Sequence, residues 1–152
     1  MLKILFTSSD KWFSKAIMEV TGEPVSHCAL EFPNLGIVIH SNFRGLHIQW
    51  ASTFRKENNI IYEIPFVEEN EFEKIDQLMQ KHEFVYYDIG AMAFLGVSMW
   101  LKAWLGVPLP KSNLWQSTGM HLCTEWVSRY VDGREDSMIT PHKLYSRIQN
   151  RG

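Results

Sequence analysis

Residues 25–41 have the sequence VSHCALEFPNLGIVIHS, which is typical of an antiparallel β-hairpin. Two runs rich in strand-forming residues flank the segment PNLG at residues 33–36, whose residue types are typical of a turn. If residues 32–35 form the loop of an antiparallel hairpin, His27 faces His40 on the neighbouring strand, because side chains alternate between faces with a period of two. Directly opposed residues have Cβ atoms roughly 4.5–5.5 Å apart, so the hairpin predicts two adjacent imidazoles.

The chain outside the hairpin continues the pattern of an α+β domain. Further strand candidates are residues 3–7, 45–50 and 60–67, and we expect residues 25–67 to form an antiparallel meander. The spacing of apolar residues predicts helices over residues 12–20, 68–82, 120–132 and 141–148. Since no linker or repeat interrupts the chain, the expected architecture is a single domain over residues 1–152, with an antiparallel sheet meander packed against helices.

Composition and charge exclude several classes of protein. The chain has 152 residues, a net charge of −2 and 45% hydrophobic residues, which excludes a disordered or fibrous protein. No cluster of Lys and Arg is long enough to follow a phosphate backbone, so we expect no nucleic-acid partner. Two cysteines are too few for a disulfide scaffold, and residues 1–11 lack the pattern of a signal peptide, so we expect a cytoplasmic location.

Cys123 is the most informative residue for chemistry. It falls in the first turn of the helix predicted to begin near Met120, where unpaired backbone N–H groups and the helix dipole favour a thiolate. The same N–H groups can hold a developing oxyanion. The alternative interpretation is a small buried hydrophobe, which is the ordinary role of a free cysteine.

The paired histidines favour a catalytic interpretation of Cys123. A thiol nucleophile needs a base and a group that orients the base, and His27 beside His40 offers both on a sheet that the Cys123 helix could cover. Glu31 is a competing orienting residue, but it lies four residues along the strand from His27, about 13 Å at the rise of a strand. Alternation turns Cys28 to the face opposite His27, which predicts a core position for Cys28.

Three segments together resemble the circularly permuted branch of the papain-like NlpC/P60 superfamily, which includes lecithin:retinol-acyltransferase-like proteins. They are SHCAL at residues 26–30, IVIHS at residues 37–41 and HLCTEWV at residues 121–127. Gly45, YYD at residues 86–88 and TP at residues 140–141 are similar to further elements of that branch. The likeness covers most of residues 25–144, with the segments in the same order and at similar spacing.

The resemblance implies a papain-like fold and a cysteine hydrolase of the amidase or peptidase type, or an acyltransferase, that forms a thioester. Cys123 would be the nucleophile, His27 the general base and then the acid, and His40 the polar third residue. No cofactor or metal is implied, and the substrate would be a small peptide, an amide or a lipid. Cys28 departs from the pattern, because an apolar residue is usual after the base, and residues 1–21 have no counterpart in it.

The apolar segment IGAMAFLGVSMWLKAWLGV, residues 89–107, has about the length that crosses a bilayer. Lys102 and the three interior glycines instead favour a helical segment that lines a groove and is interrupted near Gly96 or Gly106, so membrane contact is not predicted. The candidates for the substrate groove are Tyr87, His121, Trp100 and Trp104.

Two other functions fit parts of the sequence. A zinc site could use His27, Cys28, His121 and Cys123, although adjacent strand residues point apart and the usual spacing of paired cysteines is absent. A non-catalytic module that binds an apolar ligand or a membrane surface on the same fold would instead use the Trp-rich segment 89–107.

Overall fold

The computed structural model describes residues 1–42, 45–67, 73, 97, 98, 101, 104–106, 123–133 and 139–150. Among these residues are a five-stranded antiparallel sheet and four helices whose bounds are described, which confirms the α+β class. The strands are β1 (Leu2–Ser8), β2 (His27–Phe32), β3 (Ile37–Asn42), β4 (Gly45–Trp50) and β5 (Asn59–Phe66). The helices are α1 (Trp12–Thr21), α2 (Ala51–Glu57), α3 (Cys123–Asp132) and α4 (Pro141–Gln149). The strands lie in the order β4-β3-β2-β1-β5.

The predicted meander is correct for three strands and wrong for the fourth. β2, β3 and β4 pair in sequence order, but β5 pairs with β1 at the opposite edge of the sheet. The reason is α2, which the sequence did not predict. α2 carries the chain across one face of the sheet and buries Phe54 against Leu5, Ala29 and Val38.

The hairpin of β2 and β3 forms with a register different from the predicted one. Phe32 lies opposite Ile37 and Leu30 opposite Ile39, so the loop is residues 33–36. Gly36 closes this loop with a φ of 65°, a conformation that glycine adopts without strain. The shift amounts to two residues across the pair, so each side chain keeps its predicted face and His27 meets His40 along a diagonal.

The sheet buries different side chains on its two faces. On one face, Cys28 and Leu30 of β2 pack with Trp126 of α3. On the other face, Ala29 of β2 packs with Phe54 of α2. The alternation of β2 therefore divides its residues between a layer that contains α3 and a layer that contains α2.

The helix ends follow the signals in the sequence. α1 ends at Gly22, whose φ of 67° is left-handed and whose N–H donates to the Met18 carbonyl at 2.8 Å. α4 begins with Pro141 after Thr140, and the Thr140 hydroxyl accepts a hydrogen bond from the Lys143 N–H at 3.4 Å. The predicted helix over residues 141–148 is confirmed.

Some predicted features lie outside the described residues. These are the helix over residues 68–82 and most of the apolar segment 89–107. At the end of that segment, Trp104 and Leu105 are helical and Gly106 has a left-handed φ of 66°, which agrees with a break at Gly106. Within the described part of the chain, no helix combines the length and the apolar character needed to cross a membrane.

Candidate active site

Cys123 is the first described residue of α3, and its side chain is only 5% exposed. The pKa of its thiol is held well below its usual value, chiefly because the Cys28 thiol donates a hydrogen bond to it. The charge and hydrogen bond of His27 and the backbone N–H of Cys28 lower this pKa further, and together these contacts outweigh the opposing effect of burial. The surroundings of Cys123 therefore favour a thiolate.

Cys28 is fully buried and remains protonated. Burial raises the pKa of its thiol well above the usual value, and the neighbouring Cys123 raises that pKa further. A protonated thiol is a hydrogen-bond donor, so Cys28 can stabilise charge on Cys123 without competing as a nucleophile. The alternation of β2 correctly predicts the core position of Cys28. The sequence pattern does not predict that Cys123 of α3 contacts Cys28.

His27 connects Cys123 with a second imidazole. Its Nε2 lies 3.2 Å from His40 Nδ1, and its ring is also a hydrogen-bond partner of the Cys123 thiol. The structure differs from the expectation that the Cys123 helix covers the histidine face, because α3 packs on the face of Cys28. His27 is the first residue of β2 and stands at the end of the sheet, where a group from the α3 layer can reach it.

Gln49 determines which ring nitrogens of His40 and His27 carry a proton. Its Oε1 lies 3.2 Å from His40 Nε2, and because an amide oxygen only accepts, His40 Nε2 is the nitrogen that carries a proton. The Nδ1 of a neutral His40 then accepts a hydrogen bond from His27 Nε2. This leaves Nδ1 of His27 to exchange a proton with Cys123.

Sequence reasoning missed Gln49, although a signal for it was present. Gln49 lies opposite Val38 in β4, and His47 lies opposite His40. Both therefore project from the histidine face of the sheet, because residues 47 and 49 share the alternation of β4. Extending the hairpin register to the third strand would have placed an amide beside His40.

His40 stays neutral at ordinary pH. Burial lowers the pKa of its imidazole to about 3, the charges of His27, His47 and Lys11 act in the same direction, and the hydrogen bond to Gln49 opposes them only in part. The Phe54 ring packs edge-on against it, with ring centroids 5.0 Å apart. A neutral imidazole held on two sides is suited to orient His27 rather than to carry charge.

This burial makes the stability of the protein depend on pH. The unfolded chain protonates His40 below its ordinary pKa of 6.5, whereas the folded chain does so only near 3, so stability is lost as the pH falls through that range. We expect His40 to account for a loss of about 2 kcal/mol in the free energy of unfolding at about pH 5. Urea unfolding of the wild type and of His40→Asn at neutral and acidic pH measures this contribution. An equal pH dependence in the two proteins would contradict it.

Glu31, the competing orienting residue, is held by a different partner. Arg55 Nε donates to Glu31 Oε1 at 2.9 Å, and Arg55 Nη2 donates to Glu31 Oε2 at 2.5 Å. Arg55 Nη1 also donates to Glu63 at 2.6 Å, and this contact lowers the pKa of the Glu63 carboxyl. Glu31 is only 5% exposed and its carboxylate balances Arg55, so it does not orient His27.

The described part of the structure adds no other predicted site residue to Cys123, His27 and His40. Tyr87, Trp100 and His121 lie outside the described residues, and Trp104 is 74% exposed. His121 of the zinc alternative therefore also lies outside the described residues. Over the described ranges, no group of three His, Cys, Asp or Glu side chains has an arrangement that could hold a metal ion.

The chain was compared with models of protein families, with curated proteins and with solved structures. None of these three comparisons found a match.

Proposed function

We propose that this protein is a cysteine-dependent acyl-transfer enzyme, a hydrolase or an acyltransferase, in which Cys123 is the nucleophile. The observation that carries the proposal is the continuous set of contacts from Cys28 through Cys123, His27 and His40 to Gln49. Each contact has a chemical purpose that a buried structural cysteine would not need. The contacts favour ionisation of the Cys123 thiol, hold the imidazole of His27 and keep His40 neutral, as the proposed roles require.

The proposed reaction passes through a thioester. The Cys123 thiolate attacks the carbonyl carbon of an amide or ester, and the backbone N–H of Cys123 stabilises the resulting oxyanion. The imidazolium of His27 gives its proton to the leaving amine or alcohol as the carbonyl carbon loses that group. Neutral His27 then takes a proton from water or another acceptor, which attacks the thioester and releases the Cys123 thiolate. No cofactor takes part in this proposal.

The order of elements supports a fold of the permuted NlpC/P60 type. The proposed base is on a strand that precedes the helix of the proposed nucleophile, and the polar third residue is on the next strand. Helix α3 packs against β2 and β3, so nucleophile and base come from adjacent layers. The substrate class of this proposal is a small peptide, another amide or a lipid.

Trapping the thioester tests the proposal. The full chain is incubated with a panel of activated acyl probes, and peptide mass spectrometry identifies the labelled residues. We expect an acyl adduct on Cys123 that hydroxylamine removes and that heat-denatured protein does not form. A non-catalytic binding module on this fold would give no selective adduct, and acylation of Cys28 or of surface lysines alone would reject the assignment.

A further inference from the structure

A cavity of about 410 Å³ lies on the sheet face that carries His27 and His40. The sheet forms its floor, and residues of α1 and of the end of α2 form its walls. Cys123 is not among the described residues that line it. His27 and His40 line the cavity, whereas Cys123 belongs to the layer that contains α3, on the other face of the sheet.

Three polar atoms on this face are buried and, within the described part of the chain, have no hydrogen-bond partner. They are Thr7 Oγ1, His47 Nε2 and Gln49 Nε2, and all three residues line the cavity. Ser41 also lines it and has a buried hydroxyl without a described partner, but the alternation of β3 assigns Ser41 to the face opposite His40. Thr7 is fully buried and lies opposite His27 in the sheet. A buried polar group without a partner is unfavourable, so three of them on one wall indicate a site built for a polar ligand.

The chemistry of this wall favours a ligand rich in hydrogen-bond acceptors. The amide nitrogen of Gln49 can only donate, because Gln49 Oε1 is the atom that bonds His40. The Thr7 hydroxyl and the His47 imidazole can donate as well, and Lys11 at the rim adds a positive charge that acts on His40. Glu57 also lines the cavity, but it is an exposed residue whose carboxylate can turn toward solvent.

We propose that this cavity binds an oxyanion of the substrate, a carboxylate or a phosphate, through Thr7, His47, Gln49 and Lys11. The ligand's role as part of an acyl donor or acceptor rests on the proposed acyl-transfer function, whereas the binding does not require turnover. Charge-assisted hydrogen bonds from several donors are the usual means by which proteins hold such groups. An acidic substrate would thus be anchored beside the base.

Calorimetric titration of the full chain with acetate and with inorganic phosphate tests the binding. We expect saturable binding of at least one anion, weakened about tenfold by Lys11→Met and about tenfold by Thr7→Val. Lys15→Met is the matched control, because Lys15 lies on α1, pairs with Asp10 at 3.9 Å and does not line the cavity. It should leave the affinity unchanged.

The stability of the variants separates a ligand site from a structural role. Thr7→Val removes a buried hydroxyl without a partner, so it should weaken anion binding while the melting temperature stays the same or rises. Binding of acetate alone identifies a carboxylate site, and binding of phosphate alone a phosphate site. Failure of both anions to bind saturably, or equal affinities of Lys11→Met and Lys15→Met, overturns the proposal.

A pair of acyl probes links the cavity to the reaction. A probe with a terminal carboxylate should label Cys123 faster than its carboxamide counterpart, and Lys11→Met should remove the difference. If anions bind but no acyl adduct forms on Cys123, the catalytic proposal fails and the cavity proposal stands. If the adduct forms while neither anion binds, the cavity proposal alone fails.

Discussion

Replacing Cys123 by alanine is expected to abolish acyl transfer, because the proposed thioester needs its sulfur. Loss of the nucleophile in a triad of this kind lowers the rate by about 10⁴-fold or more. The side chain is small and alanine is a common core residue, so the variant should still fold. Turnover of an acyl compound selected from the probe panel, together with a thermal melt, measures both effects.

Cys28→Ala is the matched control, because it also removes a buried thiol. Cys28 donates to Cys123, so its loss raises the pKa of the Cys123 thiol without removing the nucleophile. We expect this variant to keep its turnover above about pH 8 and to lose part of it near pH 6, where an ordinary thiol is protonated. Cys28→Ser retains a donor and should lose less. If Cys28→Ala were inactive at every pH, the roles of the two cysteines would be wrongly assigned.

Replacing His27 is expected to have the second largest effect. His27→Ala removes the proposed base and also the charge and hydrogen bond that lower the pKa of the Cys123 thiol. Positioned proton transfer contributes about 10²–10⁴-fold to a rate, so turnover should fall by that factor and its dependence on pH should shift upward. The rate of acylation from the probe panel, followed against pH, measures the change.

His142→Ala is the control for the removal of an imidazole. His142 lies on α4, stacks on Tyr62 with ring centroids 6.0 Å apart, and is not one of the described hydrogen-bond partners of Cys123, His27 or His40. It should leave acylation unchanged. If His27→Ala and His142→Ala gave the same rate and the same pH profile as the wild type, His27 would not be the base.

Local patterns in the sequence predict most of the elements in the described part of the chain. Alternating side chains and turn residues are sufficient to predict the hairpin of β2 and β3. The helical spacing of apolar residues, with Gly22 or Pro141 at a helix end, is sufficient to predict α1 and α4. The predicted pairing register of β2 and β3 was wrong by two residues, but His27 and His40 still share a face because this difference is an even number. An odd error would have moved His40 to the opposite face.

The parts that could not be predicted depend on long-range packing. The short segment 51–57 has no strong helical pattern. It forms α2, buries Phe54 on the sheet and connects β4 to β5, which lies at the opposite edge. Likewise, the contact between Cys28 and Cys123 joins residues that are distant in the sequence and is made only when α3 packs on β2. Predicting the contact between Gln49 and His40 would have required the register of a third strand, β4.

Alkylation of Cys123 by iodoacetamide as a function of pH tests most directly whether Cys28 and His27 ionise this thiol. Peptide mass spectrometry gives the rate at each cysteine, and division by the rate at alkaline pH removes the effect of limited access. We predict that Cys123 retains a large fraction of its plateau rate near pH 6, that Cys28 does not react there, and that Cys28→Ala shifts the Cys123 profile upward. An inflection for Cys123 at about 8.5, the value of an ordinary thiol, would contradict the ionised nucleophile.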